Sequence, residues 1–270
     1  MQTVKKIIGA IGMWGVALGW GAAMAQDYGA FDQGREIVGV DAVLEFRDRI
    51  APENEMTRDR LENLLPQLME ETDLDMWLVI NREYAEDPVY VSLVPQPVFA
   101  ARRTTILVFH KTDDAFERLT VNRYPLGEPY EAAWEGGDLE EQWQALAELI
   151  AEKDPARIGI NVSADWPVAD GLTHGLHQKL ISVLPKRYER RLVSAEDLVI
   201  RWVETRSDLE MEAYGHVVSL ARSVISEAFS SQVITPGVTT TDDVAWYIRQ
   251  RFEDLNLAPW FQPYVNVQRP

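Results

Sequence analysis

From position 76 onward the chain alternates short apolar runs with amphipathic stretches, and this pattern restricts the fold more than any other feature. MWLVIN (76–81), TTILVFHK (104–111) and RIGINVS (157–163) are brief, apolar at most positions, and rich in β-branched and aromatic residues. Such runs are strands buried on both faces. FERLTVNRY (116–124) follows an Asp113-Asp114 turn and reads as the return arm of a hairpin. RRLVSA (190–195) reads as a further strand. Between them, residues 139–153 and 171–184 carry helical periodicity. Upstream, Thr57 is expected to cap a helix with Leu61, Leu64, Leu65 and Leu68 on one face. Strands alternating with helices, with one hairpin, predict an α/β fold built on a mixed sheet over about residues 40–195.

After Ser194 the pattern changes to nearly continuous helix. Ser194 with Asp197 three residues on has the spacing of a capping box, and Ser207 is placed to cap a second helix with Asp208 and Glu210 in its first turn. Pro236-Gly237 is a turn, and Thr240 or Thr241 caps the next helix, with Asp242 and Asp243 in its first turn. From 261 to 268 the residues alternate. Phe261, Pro263, Val265 and Val267 fall on one side, and Gln262, Tyr264, Asn266 and Gln268 on the other. Period-2 alternation is the pattern of a half-buried strand, so a new strand is expected to begin just before the last residue, Pro270.

At the other end, MQTVKKIIGAIGMWGVALGWGAAMAQ has the layout of a secretory signal peptide: Lys5 and Lys6, an apolar segment over 7–22, then Ala23-Met24-Ala25 before Gln26. The apolar segment contains five glycines and is short for a membrane span. Cleavage after Ala25 and a periplasmic or secreted location are therefore expected. Residues 26–40, polar and glycine-rich, read as a flexible leader. The chain has no cysteine, so an exported protein of this sequence is held without disulfides. Its formal charge of −17, or −19 without Lys5 and Lys6, argues against nucleic acid and anionic membranes as partners.

The residues alone specify little chemistry. His174 and His177 form an i, i+3 pair on a helix that could in principle hold a metal, but no third ligand is nearby in sequence; they read as surface histidines. His110 and His216 stand singly. Asp242 and Asp243 suit a hard cation, yet capping accounts for both. Trp246, Tyr247, Phe252, Trp260 and Phe261 could line a pocket or form core. No GxSxG, HExxH, glycine-rich phosphate loop or cysteine nucleophile is present.

Four successive elements carry a family resemblance. They are TRSDLE (205–210), a long helix of small and apolar residues, the PGVTT and Asp-Val element within 234–244, and the aromatic-Pro-Val segment 260–265. In that order, behind an α/β region, they resemble the entry to the pita-bread domain of the Xaa-Pro peptidases: aminopeptidase P, prolidase and their creatinase relatives. The resemblance implies a creatinase-type N-terminal α/β domain over 41–200 and the first part of an incomplete α+β pita-bread domain over 201–270. It implies a metallopeptidase that cleaves the bond before proline, with two divalent ions (manganese, cobalt or zinc). Its substrate would be a peptide with proline in second position, and the complete protein would form a homodimer or larger assembly. In the family the metal ligands follow the segment matched by 260–265, so the resemblance implies no metal-binding or catalytic residue in this chain and no activity for it alone. Phe261 and Pro263 are the positions it places on a substrate-pocket wall. The same resemblance leaves open a non-catalytic exported binding module and a creatinase-like amidinohydrolase.

Overall fold

A computed structural model describes residues 43–268. The signal segment, the Ala25 cleavage position and the leader over 26–40 lie outside the described residues. Two compact units are present. One is Asn54–Ser207; the other joins the segment ending at Glu53 to the segment beginning at Asp208.

The described chain opens with helix α1 (Phe46–Asp59), which passes through a π-helical turn (Arg60–Leu64) into α2 (Leu65–Glu71). Thr57 therefore lies inside α1 and caps nothing. The apolar face around it is real: Leu61, Leu65 and Leu68 are buried, with Leu64 packed at the edge of the same core. Local capping chemistry at Thr57 is outweighed because residues upstream continue the helix and Met56 is buried beside it.

Strand β1 (Met76–Arg82) follows, then the single turn α3 (Tyr90–Leu93), β2 (Thr104–Lys111), β3 (Phe116–Thr120) and the two-residue β4 (Glu131–Ala132). Next come α4 (Leu139–Lys153), β5 (Ile158–Ile160), α5 (His174–Val183), the short α6 (Lys186–Glu189), β6 (Leu192–Ser194) and α7 (Glu196–Glu204). The six strands form one mixed sheet in the order β4-β3-β2-β1-β5-β6. β1 and β2 pair antiparallel, as do β2 and β3, while β1, β5 and β6 run parallel. The fold is α/β with a mixed sheet and one hairpin.

The apolar run of β1 reflects burial on both faces. Trp77 and Val79 join the helical residues Leu65, Leu68, Leu198 and Trp202 on one side. Met76, Leu78 and Ile80 join Trp143, Leu146 and Ile150 of α4 and Leu180 of α5 on the other. Burying a Met, Val, Leu or Ile side chain contributes about 1.5–3 kcal/mol, so the five buried apolar residues that open β1, Met76 to Ile80, anchor the unit. α4 starts at a reciprocal capping box between Asp138 and Glu141. β3 stops short of the expected 124. After Val121 the Asn122 side chain takes the Ile106 amide at 2.7 Å, replacing a backbone ladder bond. Ser194 does not form a box with Asp197. Its hydroxyl accepts from the Glu196 amide and donates to the Val162 carbonyl, and Ala195 is the N-cap of α7.

The second unit contains α8 (Asp208–Ala228) and α9 (Thr241–Asp254). The turn between them centres on Gly237, whose φ of 77° only glycine adopts without strain. Of the two threonines the sequence offered, Thr240 caps α9, and it does so in a full box with Asp243. Leu220, Val224, Ala228, Val244, Ile248, Leu255 and Leu257 form the core, with Val43 packed among them. The strand expected at 261–268 does not form: the segment is irregular and pairs with no described strand. Alternation gives a segment two faces, but only a hydrogen-bonded neighbour makes it part of a sheet. Val265 alone of its apolar residues packs against the core.

Candidate functional site

Phe261 and Pro263 sit beside α9 in the second unit. Phe261 is 65% exposed. Pro263 is half-buried, and its carbonyl accepts a 3.2 Å bond from Arg249 Nη2. The Arg249 guanidinium lies 4.6 Å from the centre of the Trp246 ring. An open hollow of about 400 Å³ runs along this surface, lined among others by Trp246, Arg249, Phe252, Leu257, Pro259 and Gln262. The aromatic set divides here. Tyr247 and Phe252 pack on the core, while Trp246, Trp260 and Phe261 face outward. Tyr247 donates its hydroxyl proton to Glu227 of α8, and Arg251 contacts the same carboxylate at 3.3 Å. Burial, reinforced by Glu227, pushes the Tyr247 hydroxyl up to about 12. The hollow thus rests on a helix pair tied by a polar triad.

The acidic pair at the start of α9 is divided by function. The Asp243 carboxylate accepts from both the Thr240 amide and the Thr240 hydroxyl, which holds its pKa below the usual carboxylate range. Asp242 is exposed one position earlier. His174 is exposed at the first residue of α5, and His177 is half-buried one turn on. His216 lies half-buried within α8. His110 of β2 is buried, its Nδ1 2.7 Å from Glu117 Oε2, and Lys153 bonds the other oxygen of Glu117 at 2.7 Å. Burial alone would raise the Glu117 pKa. The hydrogen bonds from Lys153 and His110 outweigh it and hold the group low. Among the described residues no group of three acidic, histidine or cysteine side chains is placed to hold a metal ion. The donor sets present do not fit a metal pair.

A buried polar constellation lies elsewhere, at the carboxyl ends of β1 and β5. Asp87 is 3% exposed. Its Oδ1 accepts from the Val89 amide at 3.0 Å and its Oδ2 from Asn161 Nδ2 at 2.9 Å. Asn161 is oriented by Trp77, whose indole N–H donates to its Oδ1 at 2.7 Å. Asn81 accepts from the Asp87 amide and donates to the Thr105 carbonyl. Gly171 closes the cluster. A Cβ at that position would stand 2.1 Å from Asp87 Oδ2. Burial pushes the Asp87 carboxyl up to about 6, against the lowering effect of its two hydrogen bonds. The site is sealed and fully bonded, so it orders the loops after β1 and β5 and presents no reacting atom to solvent.

A second buried group also escaped the sequence pattern. Arg60 is 6% exposed. It donates to the Thr205 carbonyl at 2.7 Å and to the Trp202 carbonyl, and its guanidinium lies 4.2 Å from the centre of the Trp202 ring. The cation caps the C-terminus of α7, where the helix dipole favours positive charge.

No protein-family model matches the chain, and no curated protein matches it. It is similar to the solved structure of an Xaa-Pro dipeptidase from Bacillus anthracis, at 15% identity and a TM-score of 0.44. The match covers 72% of this chain and 49% of that one, so the chain spans about half the length of that structure.

Proposed function

We propose that the chain is the leading portion of an exported metallopeptidase of the Xaa-Pro type, which hydrolyses the peptide bond before a proline in second position. The observation that carries this reading is the order of the motifs at 205–210, 234–244 and 260–265. In the structure they fall at successive joints. The first opens α8, the second forms the Gly237 turn and the Thr240–Asp243 cap of α9, and the third is the extended segment beside the hollow. The first two motifs perform their local tasks at helix starts and at the Gly237 turn, while the third is extended but unpaired among the described residues.

On this reading, residues 41–200 form the creatinase-type N-terminal domain, and 201–270 begin the pita-bread domain. Phe261 and Pro263 belong to the substrate side of the site, and Gln262 between them lines the hollow beside α9. The metal pair supplies the activated water and the Lewis acid when bound. Among the described residues no cluster is placed to hold it: Asp243 is engaged in its capping box, and the histidines are dispersed. On this reading the ligands are sought in sequence following Pro270.

The test is the coding sequence that follows Pro270. Asp, Asp, His, Glu and Glu at the family's spacing support the metallopeptidase. A continuation of the same length without them supports a binding module on the same scaffold. A continuation with the histidines but not the carboxylates supports an amidinohydrolase.

A further inference from the structure

One end of the sheet in the Asn54–Ser207 unit departs from the acidity of the chain. Arg82 ends β1, and opposite it Arg102 and Arg103 lead into β2 at Thr104. Arg123 and Tyr124 follow the end of β3. Three adjacent strands therefore deliver four arginines to one end, all exposed. None of the four forms an ion pair with a described carboxylate, although the chain carries 43 acids against 26 lysines and arginines. Glu83 and Glu86 on the same loops are engaged with backbone, and Arg123 donates to the Gly137 carbonyl beside Asp138, which leaves Arg82, Arg102 and Arg103 as the centre of the patch. Glu83 accepts from the Arg103 amide at 3.3 Å and Glu86 from the Ala101 amide at 3.1 Å.

Aromatic side chains stand among these cations. Tyr84 is 93% exposed and Phe99 is 83% exposed. Arg102 stacks over Tyr124 at 4.4 Å. The turn carrying Tyr84 and the loop carrying Phe99 are joined by the Glu83 amide donating to the Arg103 carbonyl at 2.7 Å. Thr105 fixes the Arg102 backbone through its hydroxyl. Tyr84 and Arg103 hold left-handed backbone, with φ of 69° and 59°. That conformation is uncommon for any residue but glycine and persists where surrounding bonds impose it. The loops are thus held in one arrangement that presents two large rings to water between guanidinium groups. Exposed aromatics and arginines are the residues that dominate binding energy at interfaces.

We propose that this end of the sheet is a docking surface for an acidic polypeptide segment, its carboxylates taken by Arg82, Arg102 and Arg103 and its chain seated against Tyr84 and Phe99. Planar guanidinium forks match carboxylates in two-point contact. A short acidic segment is favoured over a nucleic acid by the charge beyond the patch. The Debye length is about 8–10 Å in physiological salt, so the patch acts locally. A polyphosphate would run past it onto a surface whose overall balance is −17, whereas a short peptide keeps its charge over the arginines.

The experiment measures fluorescence anisotropy of a labelled, glutamate-rich peptide of about ten residues against the full chain, at low and at physiological salt. Binding is expected, and it should weaken as salt rises. The variant R82E/R102E/R103E should lower affinity by about tenfold or more. Y84A/F99A should lower it several-fold while keeping the salt dependence. Reversing Lys186, Arg187 and Arg190 at the opposite end of the sheet should leave affinity unchanged, with circular dichroism establishing that each variant is folded. Absence of binding at low salt, equal loss from the opposite-end variant, or an unaffected R82E/R102E/R103E would overturn the proposal. So would tighter, arginine-dependent binding of an oligothymidine of the same length, which would assign the surface to nucleic acid instead.

Discussion

Replacing Asp87 by Asn should change the pH dependence of stability more than stability itself. Burial raises the folded-state pKa from 3.8 to about 6. A carboxyl with a raised folded pKa favours folding at low pH, and that advantage is lost as pH rises through the folded value. Between these values the unfolded chain ionises while the folded one stays protonated. Ionisation therefore costs the native state an amount that reaches about 3 kcal/mol near neutral pH and falls to about 0.5 kcal/mol near pH 4. Asp87→Asn removes this titration. It also places an NH₂ opposite a donor, because both carboxylate oxygens accept: one from Val89 and one from Asn161. Asn161 cannot turn to compensate, since Trp77 holds its oxygen. The unmatched donor costs about 1–3 kcal/mol at every pH. Near pH 7 the two effects nearly cancel. Near pH 4 the wild-type chain should be the more stable by about 2 kcal/mol beyond any difference at pH 7. Urea unfolding followed by tryptophan fluorescence at both pH values measures this. Other titrating groups, such as Glu53, contribute equally to both chains. Parallel pH profiles would refute the account of Asp87 as a buried, titrating carboxyl.

Gly171→Ala should lower stability by about 1–3 kcal/mol, because its Cβ would meet the Asp87 carboxylate and the Pro88 ring; an unchanged melting temperature would contradict the packing described. Arg60→Met should cost about 1–3 kcal/mol, chiefly through the Trp202 carbonyl it leaves unmatched, since the Thr205 carbonyl keeps its bond from Arg206, and Arg60→Lys should recover only part of that in chemical denaturation. Thr240→Ala should destabilise the second unit by about 1 kcal/mol, read as faster amide exchange over α9 with α4 unchanged. Hydrogen exchange over 261–268 should be fast and over 104–111 slow, since only the latter has ladder partners on both sides; equal protection would mean that the terminal segment has found a sheet.

What the sequence disclosed follows the range of the interactions involved. β1, β2 and α4 were legible because their patterns record burial along contiguous residues. The α9 cap was legible because Thr240 and Asp243 need only each other. The start of the first helix was misplaced because Thr57 offers cap chemistry inside a segment that its neighbours make helical. The segment at 261–268 shows the limit of periodicity, which assigns faces and says nothing about a partner strand. The buried polar groups were hidden for a different reason. Asp87 stands before Pro88 like any turn residue, and Asn161 is 74 positions away. Arg60 looks like a solvated helix position, and the carbonyls it meets lie 142 and 145 residues on. The arginines of the proposed docking surface are likewise dispersed along the chain until three strand ends bring them together.

The function proposed above assigns to this chain the scaffold and substrate side of an Xaa-Pro peptidase and places the metal ligands in sequence that follows it. The most direct measurement is hydrolysis of an Xaa-Pro tripeptide with added manganese, by the 270-residue chain and by the same chain extended with the coding sequence that follows it. No turnover and no paired-metal binding are expected of the chain alone, and chelator-sensitive turnover is expected of the extended protein. Chelator-sensitive turnover by the chain alone, or an extended protein that binds metal but leaves Xaa-Pro bonds intact, would contradict it.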